Sequence, residues 1–351
     1  MRSLRQTMTT AGLAAALTVG LAACGTGSGG SAPAEGAASS SGGSAAAGAG
    51  ATVAFVPKLQ GVPYFEAMNA GGQAACAEIG CEWLYQGPVE ADAAAQADIV
   101  RSFIQQGVDT LIVAPNDPDS IAPLLQQAAD AGIHVATADT DAPSSVREAF
   151  VNQATAQGNG EGLTDALLDS MGGPGQYAIV SCGETAENLN AWIEVQRAYT
   201  AQQYPDAEIV DVVYAGEDQA RATQLATDLM NANPGLTGLV GECTSSAPGV
   251  AQAVKDAGKV GQVFTVGLGT PQSMLPYLED GSSSAAILWD VEKLGYLTAW
   301  AGTQLAAETP FEATNAVSAD LPEVAYDEAT KTLLLGPALR ITAENAAQFD
   351  Y

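Results

Sequence analysis

The feature that most constrains the fold of this sequence is a repeated alternation of short apolar runs with longer amphipathic segments. Four predicted strands alternate with three predicted helices between residues 51 and 138, and the same cycle restarts at residue 176 with five further strands. The strands are continuous apolar runs, which is typical of parallel sheets covered by helices on both faces. The pattern therefore predicts an α/β protein with two doubly wound parallel-sheet lobes joined by a hinge. The predicted strands are 51–57, 82–85, 110–114 and 134–138 in the first cycle, and 176–182, 208–214, 236–241, 263–268 and 285–289 in the second.

The first 23 residues have the anatomy of an export signal. Arg2 and Arg5 form a basic start, and the apolar run 11–21 is too short to span a bilayer comfortably. The run Leu21-Ala22-Ala23-Cys24-Gly25 resembles a bacterial lipobox, in which cleavage leaves an acylated cysteine at the new N-terminus. We therefore expect residues 1–23 to be a lipoprotein signal peptide and Cys24 to carry the lipid. An ordinary signal peptide with a cysteine near its cleavage site is the alternative.

Composition separates a tether from the folded part. Residues 25–50 are almost wholly Gly, Ala and Ser, so they cannot bury enough apolar surface to fold. A flexible chain of these 26 residues has a root-mean-square span of about 28 Å. We expect residues 24–50 to be a lipidated cysteine and tether, residues 51–145 with part of 291–351 to form the N-terminal lobe, and residues 146–290 the C-terminal lobe.

Charge excludes one class of partner. The chain has 40 acidic against 12 basic residues, a formal charge of −28, so no basic surface is available to bind nucleic acid. The single histidine, His134, has no Cys or His at a spacing that suits a metal, and residues 158–162 lack the spacing of a dinucleotide loop. The glycines of that run are expected to allow close packing instead. We expect no metal, no cofactor and no catalytic residues, and a monomer.

Polar residues stand directly after the predicted strands of both lobes. The carboxyl ends of the strands are where open parallel sheets bind ligands, and two lobes would direct these groups into one cleft. Carboxylates and amides hydrogen-bond pairs of vicinal hydroxyls, whereas aromatic rings cover the apolar face of a sugar. The polar candidates are Lys58, Asp139, Asp141, Glu242 and Asp290, and the aromatic ones are Tyr64, Phe65, Trp192 and Trp289. Core packing is the alternative for Phe65 and Trp192.

Several spaced motifs resemble the periplasmic binding proteins of ABC sugar importers. The nearest branch holds the rhamnose-binding and autoinducer-2-binding proteins, and the similarity runs over roughly residues 51–303. The resemblance implies a type I periplasmic binding protein fold and a sugar ligand held between the lobes. The motifs are Val53-Ala54-Phe55-Val56-Pro57-Lys58-Leu59, Ala138-Asp139-Thr140-Asp141, Val151-Asn152-Gln153, Asn190-Ala191-Trp192, Gly267-Leu268-Gly269-Thr270-Pro271 and Leu288-Trp289-Asp290.

The resemblance also implies which residues bind the ligand. In the autoinducer-2 receptors these are a Lys after the first strand, an Asp after the fourth, an Asp-Gln pair, small residues near the third strand of the second lobe, and an Asp after Trp. Those positions fall on Lys58, Asp139, Asn188 with Leu189, residues 242–244, and Asp290. Asn188-Leu189 replaces the acidic-amide pair, and residues 242–244 replace a Pro-containing segment. These changes favour a different polyol, such as a deoxyhexose or pentose.

Other roles stay open for the charged candidates. Lys58 could pair with Asp139 or Asp290 only to neutralise buried carboxylates, and Asp141 could cap a turn beside Pro143.

Two classes of function follow from this pattern. The first is an exported, lipid-anchored receptor on the outer face of the cell membrane that closes around a sugar and delivers it to an ABC permease. The second is an enzyme acting on a sugar, with Asp139 and Asp290 as acid and base. The export signal, tether and repeated lobes favour the receptor, and a signal receptor for autoinducer-2 or a related molecule shares its binding step.

Four cysteines remain once Cys24 is assigned to the lipid. Export makes disulfides permissible, and four cysteines allow three pairings. Cys76 and Cys81 are separated by a short turn. Cys182 and Cys243 end the first and third strands of the second lobe, which are neighbours in a 2-1-3-4-5 sheet order. We predict Cys76–Cys81 and Cys182–Cys243, with four buried free thiols as the alternative.

Overall fold

The computed structural model describes residues 50–351. The predicted signal peptide, the predicted lipidation site Cys24 and almost all of the predicted tether lie outside the described residues. Among residues 50–351, no helix combines the length and the apolar character needed to cross a membrane.

The described chain contains fourteen strands and nine α-helices. The strands are β1 Thr52–Val56, β2 Glu82–Tyr85, β3 Thr110–Val113, β4 His134–Ala138, β5 Ala149–Asn152, β6 Gln176–Ser181, β7 Glu208–Tyr214, β8 Leu236–Gly241, β9 Phe264–Gly267, β10 Ala285–Leu288, β11 Thr314–Asn315, β12 Val324–Asp327, β13 Thr332–Leu334 and β14 Leu339–Ile341. The helices are α1 Pro63–Ile79, α2 Ala93–Gln106, α3 Pro118–Asp130, α4 Ala156–Met171, α5 Glu187–Gln203, α6 Gln219–Ala232, α7 Ser246–Asp256, α8 Pro271–Asp280 and α9 Val291–Ala306. A short 3₁₀ helix, Ala346–Gln348, lies near the C-terminus.

Two sheets form the two lobes. The first has the order β11-β12-β13-β5-β4-β3-β1-β2, and the second β14-β10-β9-β8-β6-β7. Strands β1 to β5 are parallel, as are β6 to β10, and the second set has the expected 2-1-3-4-5 order. The two-lobed α/β fold is therefore confirmed, as is the continuous burial of most central strands.

The C-terminal tail makes both sheets mixed, which the sequence pattern did not predict. Strands β11 and β12 add an antiparallel edge to the first sheet, and β14 adds one to the second. These strands have two to four residues each, so they carry too little apolar periodicity to be recognised before their partners are known.

The chain passes between the sheets in three places. It crosses after β5 to reach α4, which packs on the second sheet, and it returns between β10 and α9, which packs on the first. The third crossing lies between β13 of the first sheet and β14 of the second. The expected boundary between the lobes lies between residues 145 and 146, which would place β5 in the C-terminal lobe. Strand β5 belongs instead to the sheet of the N-terminal lobe. We therefore place the first boundary after Asn152.

Helices α1 and α9 pack so closely that glycine is required at their crossing. A Cβ on Gly71 would lie 1.9 Å from the Glu292 carbonyl oxygen, and one on Gly295 would lie 1.9 Å from that of Met68. Both helices begin near the cleft, since Tyr64 and Phe65 lie in the first turn of α1 and Trp289 lies two residues before α9. The close crossing of α1 and α9 therefore fixes the positions of the aromatic residues of the candidate site relative to one another.

A second close contact involves the glycines of residues 158–162. A Cβ on Gly160 would lie 2.6 Å from Val195 Cγ1 and 2.9 Å from the Trp192 carbonyl oxygen, so this glycine brings α4 against α5. The expectation of close packing is correct at Gly160. Gly162 differs, because its nearest atom, Ile287 Cγ2, is 3.8 Å away.

Candidate functional site

A cavity lies between the two lobes at the carboxyl ends of their central strands. Most of the predicted residues line it, and they come from both lobes. Lys58 and Asp139 follow β1 and β4 of the first lobe, whereas Glu242 and Trp289 follow β8 and β10 of the second. The lining residues are Lys58, Leu59, Val62, Tyr64, Phe65, Asp139, Asn188, Leu189, Trp192, Glu217, Glu242, Cys243, Thr244, Leu268, Leu288 and Trp289.

Lys58 connects the lobes at this cavity. Its ammonium donates a hydrogen bond to Asn188 Oδ1 of the second lobe at 3.0 Å, and it lies 3.6 Å from Asp139 Oδ2 of its own lobe. The residue is buried, with 5% of its surface exposed. A buried ammonium needs a compensating charge, which Asp139 supplies.

Asp139 is the centre of a second group of contacts. Its carboxylate accepts hydrogen bonds from the Tyr64 hydroxyl at 2.6 Å and from the Thr140 hydroxyl at 3.1 Å. Its backbone has φ 65°, a left-handed conformation that aspartate tolerates better than most residues. Burial of Tyr64, followed by the nearby Asp139 charge, raises the pKa of the Tyr64 hydroxyl well above its ordinary value, so Tyr64 is a neutral donor.

Four aromatic rings from both lobes form a continuous cluster at the cavity. Tyr64 meets Phe65 edge to face at 5.0 Å between ring centroids, and it meets Trp289 edge to face at 6.0 Å. Trp289 also contacts Trp192 at 5.8 Å, and its indole nitrogen donates to the Tyr64 hydroxyl at 3.1 Å. The rings are buried and line the cavity, so they serve the core and face the ligand space at once.

The free space at the centre of the cavity is about 40 Å³. Small-molecule pockets usually begin at roughly 300 Å³, so the lobes here are closed onto their own side chains. A second contact between the lobes lies near the rim, where the Thr185 hydroxyl donates to the Asn116 carbonyl oxygen at 2.9 Å. A sugar can enter this cavity only if the lobes separate and the contact between Lys58 and Asn188 opens.

Glu242 is a fully buried carboxyl group at the end of β8. The Gln196 side-chain nitrogen donates to both of its oxygens at 2.8 Å. Burial raises the pKa of Glu242 to about 8, and the amide of Gln196 lowers it only in part. Glu242 is therefore mostly protonated at neutral pH and can donate as well as accept a hydrogen bond.

The structure does not bring Asp141 into this cavity. The Asp141 carboxylate is paired with Arg147, and it accepts hydrogen bonds from the Thr137 hydroxyl at 2.7 Å and from the backbone nitrogen of Ala142 at 2.8 Å. It lines a neighbouring groove at the hinge side of the lobes together with Arg147 and Lys331. Its contacts stabilise the loop between β4 and β5.

Asp290 also lies outside the cavity. Its carboxylate accepts a hydrogen bond from the Lys293 backbone nitrogen at 3.1 Å and so caps the N-terminus of α9, and it pairs with the Lys293 ammonium at 3.3 Å. It lines a different depression beside Glu78 and Tyr296. The two preceding residues of this motif, Leu288 and Trp289, line the cavity instead.

Glu217 lines the cavity and was not predicted. The half-buried Glu217 side chain accepts a hydrogen bond from the Ser245 hydroxyl at 3.1 Å, and its removal from solvent raises the pKa of its carboxyl group. Glu217 is the third residue after β7, as Asp141 is after β4, so the rule that identified the other candidates would have found it if a short loop after each strand had been included.

The four cysteines of the described part are joined in the expected pairs. The Cα atoms of Cys76 and Cys81 are 4.5 Å apart and those of Cys182 and Cys243 are 6.1 Å apart. The sulfur atoms of Cys182 and Cys243 and a Glu217 oxygen lie within 4.8 Å of one another, a spacing that could hold a metal ion. Metal ligation by cysteine requires thiolates, which sulfur atoms bonded to each other do not provide.

Comparison with known proteins agrees with this architecture. The family model described as "Periplasmic binding protein domain" matches residues 53–310. The chain is 31% identical over 206 residues to the D-ribose/D-allose-binding protein of Pseudomonas aeruginosa, an alignment that covers 55% of this chain and 61% of that protein.

Two solved structures are similar over nearly the whole described chain. One is an ABC transporter solute-binding protein of Clostridium phytofermentas with bound L-rhamnose, at 28% identity and TM-score 0.79, covering 85% of this chain and 98% of that one. The other is LsrB of Clostridium saccharobutylicum in complex with AI-2, at 25% identity and TM-score 0.81, covering 86% and 100%. The resemblance found in the sequence motifs is confirmed. With residues 53–310 matched, the chain belongs to the periplasmic binding protein family.

Proposed function

We propose that this chain is the extracytoplasmic receptor of an ABC importer, and that it captures a sugar or a related polyol between its lobes and delivers it to the permease. The observation that carries this proposal is the cavity between the lobes, where an ammonium, an amide and three carboxyl groups stand beside four aromatic rings. Such a mixture suits a ring or chain that has hydroxyls on its edges and an apolar face.

The contacts support a separate role in ligand binding for each group of residues. Asp139 and Lys58 would accept from and donate to neighbouring hydroxyls, and Asn188 would do both from the opposite lobe. The rings of Trp192 and Trp289 would cover the apolar face of the ligand. Because these residues come from both lobes, bound ligand would replace the direct contact between Lys58 and Asn188 and hold the lobes together.

The relatives support a binding protein over an enzyme. One is a D-ribose/D-allose-binding protein, one is a solute-binding protein with bound L-rhamnose, and one is LsrB in complex with AI-2. Asp139 and Asp290 cannot act as an acid and base pair in this conformation, since Asp290 caps α9 outside the cavity. A receptor returns its ligand unchanged, so the ligand released by denaturation should have the mass and stereochemistry of the compound supplied.

Titration calorimetry with L-rhamnose, D-ribose, D-allose, D-arabinose, xylitol and AI-2 tests the proposal directly. A member of this panel, or a polyol identified by mass spectrometry in the purified protein, should bind with 1:1 stoichiometry. The radius of gyration from solution scattering should then be smaller with ligand than without, because ligand would shift the lobes toward closure. Tight binding with identical scattering curves would contradict the hinge, and AI-2 as the tightest ligand would make the chain a signal receptor.

We further propose that Cys24 anchors the chain to the outer face of the cell membrane and that the folded part is a monomer. The support is the run Leu21-Ala22-Ala23-Cys24-Gly25 followed by a tether rich in Gly, Ala and Ser. Replacing Cys24 with Ala should abolish labelling by radioactive palmitate and release the protein from the membrane fraction. Labelling that persists in Cys24→Ala would contradict the anchor, and sedimentation of residues 51–351 as a dimer would contradict the monomer.

A further inference from the structure

We propose that the ligand of this cavity carries a basic nitrogen, as an amino sugar or an amino alditol does, and that Glu217 and Glu242 select it. This inference rests on the proposed function and names the substrate class of the same site. It depends on an imbalance of charge among the buried and half-buried groups that line the cavity, of which Glu217 is half-buried.

Carboxyl groups outnumber basic groups at the cavity. Lys58 is the only lysine or arginine among the described residues that line it, whereas three carboxyl groups do so: Asp139, Glu217 and Glu242. Lys58 is already committed to Asp139, 3.6 Å away in the same lobe. The other two carboxyl groups therefore have no counter-ion within the cavity.

Neither glutamate has a cationic partner elsewhere in residues 50–351. None of the salt bridges there includes Glu217 or Glu242. Glu217 is contacted by the Ser245 hydroxyl and by Cys243 Sγ at 3.6 Å, and Glu242 by the Gln196 amide. Buried carboxylates are normally paired with a cation, and those without one take up a proton.

Both glutamates are protonated more readily than usual for this reason. Burial raises the pKa of Glu217, and the Lys58 charge offsets it only in part while the Asp139 charge adds to it. Burial raises the pKa of Glu242 to about 8, and the Glu242 charge is in turn one of the causes that raise the pKa of the buried Tyr177. A ligand ammonium between the two carboxyl groups would supply the missing cation and allow them to ionise.

The aromatic cluster favours the same class of ligand. The rings of Tyr64, Phe65, Trp192 and Trp289 line the same cavity as the carboxyl groups. The face of an aromatic ring, and of Trp above all, attracts a cation, and this attraction strengthens where water is excluded. A neutral sugar would use these rings only to cover its apolar face and would leave both glutamates protonated.

The test uses matched pairs of ligands that differ only by an ammonium in place of a hydroxyl. Thermal shift and titration calorimetry compare 2-amino-2-deoxyhexoses with their hexoses, scyllo-inosamine with scyllo-inositol, and 1-amino-1-deoxyalditols with their alditols. We expect at least one amine to bind at least tenfold more tightly than its parent. The Glu217→Gln variant should lose that preference, because it removes one of the two carboxyl groups that would pair with the ammonium. Glu194→Gln, the same change on the exposed surface of α5, should leave the preference intact.

The pH dependence of binding gives opposite results for the two classes of ligand. An ammonium that needs Glu242 ionised should bind about fifty-fold more tightly at pH 8 than at pH 6, for a carboxyl group of pKa about 8. A neutral polyol that needs Glu242 protonated should bind about twofold more weakly over the same range. The aminoalditol pair suits this measurement because an aliphatic amine, like that of lysine with a pKa of about 10.4, keeps its charge throughout.

Each outcome has one meaning. A parent polyol that binds as tightly as its amine, or Glu217→Gln with an unchanged preference, would overturn the inference and leave the sugar receptor in place. No binding by either set, nor by the sugars of the panel above, would overturn the proposed function itself.

Discussion

Replacing Asp139 and Asp290 separately, each with Asn, distinguishes a ligand-binding carboxylate from a helix cap. Both residues follow strands and both were predicted to bind the ligand, but only Asp139 lines the cavity. Asn keeps the shape of the side chain and tolerates the left-handed backbone of Asp139 at φ 65°, whereas Ala at this position would add strain. The substitution therefore removes the charge and little else.

The contacts of Asp139 set the size of the expected effect. A hydrogen bond to a charged group contributes about 1.5 to 3 kcal/mol, so Asp139→Asn should weaken binding of the panel's tightest ligand by about 10- to 150-fold. The same change leaves the buried Lys58 ammonium without its counter-charge, 3.6 Å away. Removing one member of a buried ion pair costs about 3 to 5 kcal/mol, so we expect the free energy of unfolding to fall by about 3 kcal/mol.

Asp290→Asn is the matched control. Asn caps a helix as well as Asp does, and the partly exposed pair with Lys293 contributes at most about 1 kcal/mol. Calorimetry should show its affinity within about twofold of the wild type. Urea unfolding should show a loss of at most about 1 kcal/mol. If Asp290→Asn weakens binding as much as Asp139→Asn does, or if neither changes it, the assignment of Asp139 to the ligand site is wrong.

Three further predictions concern the fold. Gly295→Ala should lower the free energy of unfolding by about 1 to 3 kcal/mol because its Cβ meets a backbone oxygen at 1.9 Å, whereas Gly162→Ala, with 3.8 Å of room on α4, should raise it by up to about 1 kcal/mol. Equal urea midpoints for the two variants would refute the close crossing of α1 and α9. Non-reducing peptide mapping of exported protein should recover Cys182 and Cys243 in one linked peptide, and free thiols there would show that the pairing is wrong. Because the folded pKa of Glu242 is raised to about 8, the folded state binds an extra proton, and stability should fall as pH rises from 5 to 8 by up to about 1.4 kcal/mol per unit. Glu242→Gln should show a smaller loss over this range, and an unchanged slope would place the proton elsewhere.

Local sequence was sufficient for the central architecture. Apolar runs such as Gln176–Ser181 and amphipathic segments such as Gln219–Ala232 have a periodicity that a single strand or helix sets by itself. The 2-1-3-4-5 order follows from the rules for parallel sheets, and the position of the cleft follows from the carboxyl ends of the strands. That same rule led to Lys58, Asp139 and Glu242, all of which line the cavity.

Tertiary structure decided what each polar side chain does. Asp141 has its partner in Arg147, on the loop before β5, and Asp290 has its partners on the first turn of α9, so neither is available to the cavity. The short tail strands β11 to β14 exist only because the two sheets present edges for them to pair with. The sequence by itself determined the strands, the helices and the edge at which ligand binds, because these depend on neighbours along the chain. The direction and partner of a charged side chain depend on the path of the chain after each strand and on contacts such as that of Lys58 with Asn188, 130 residues away, and only the folded structure establishes these.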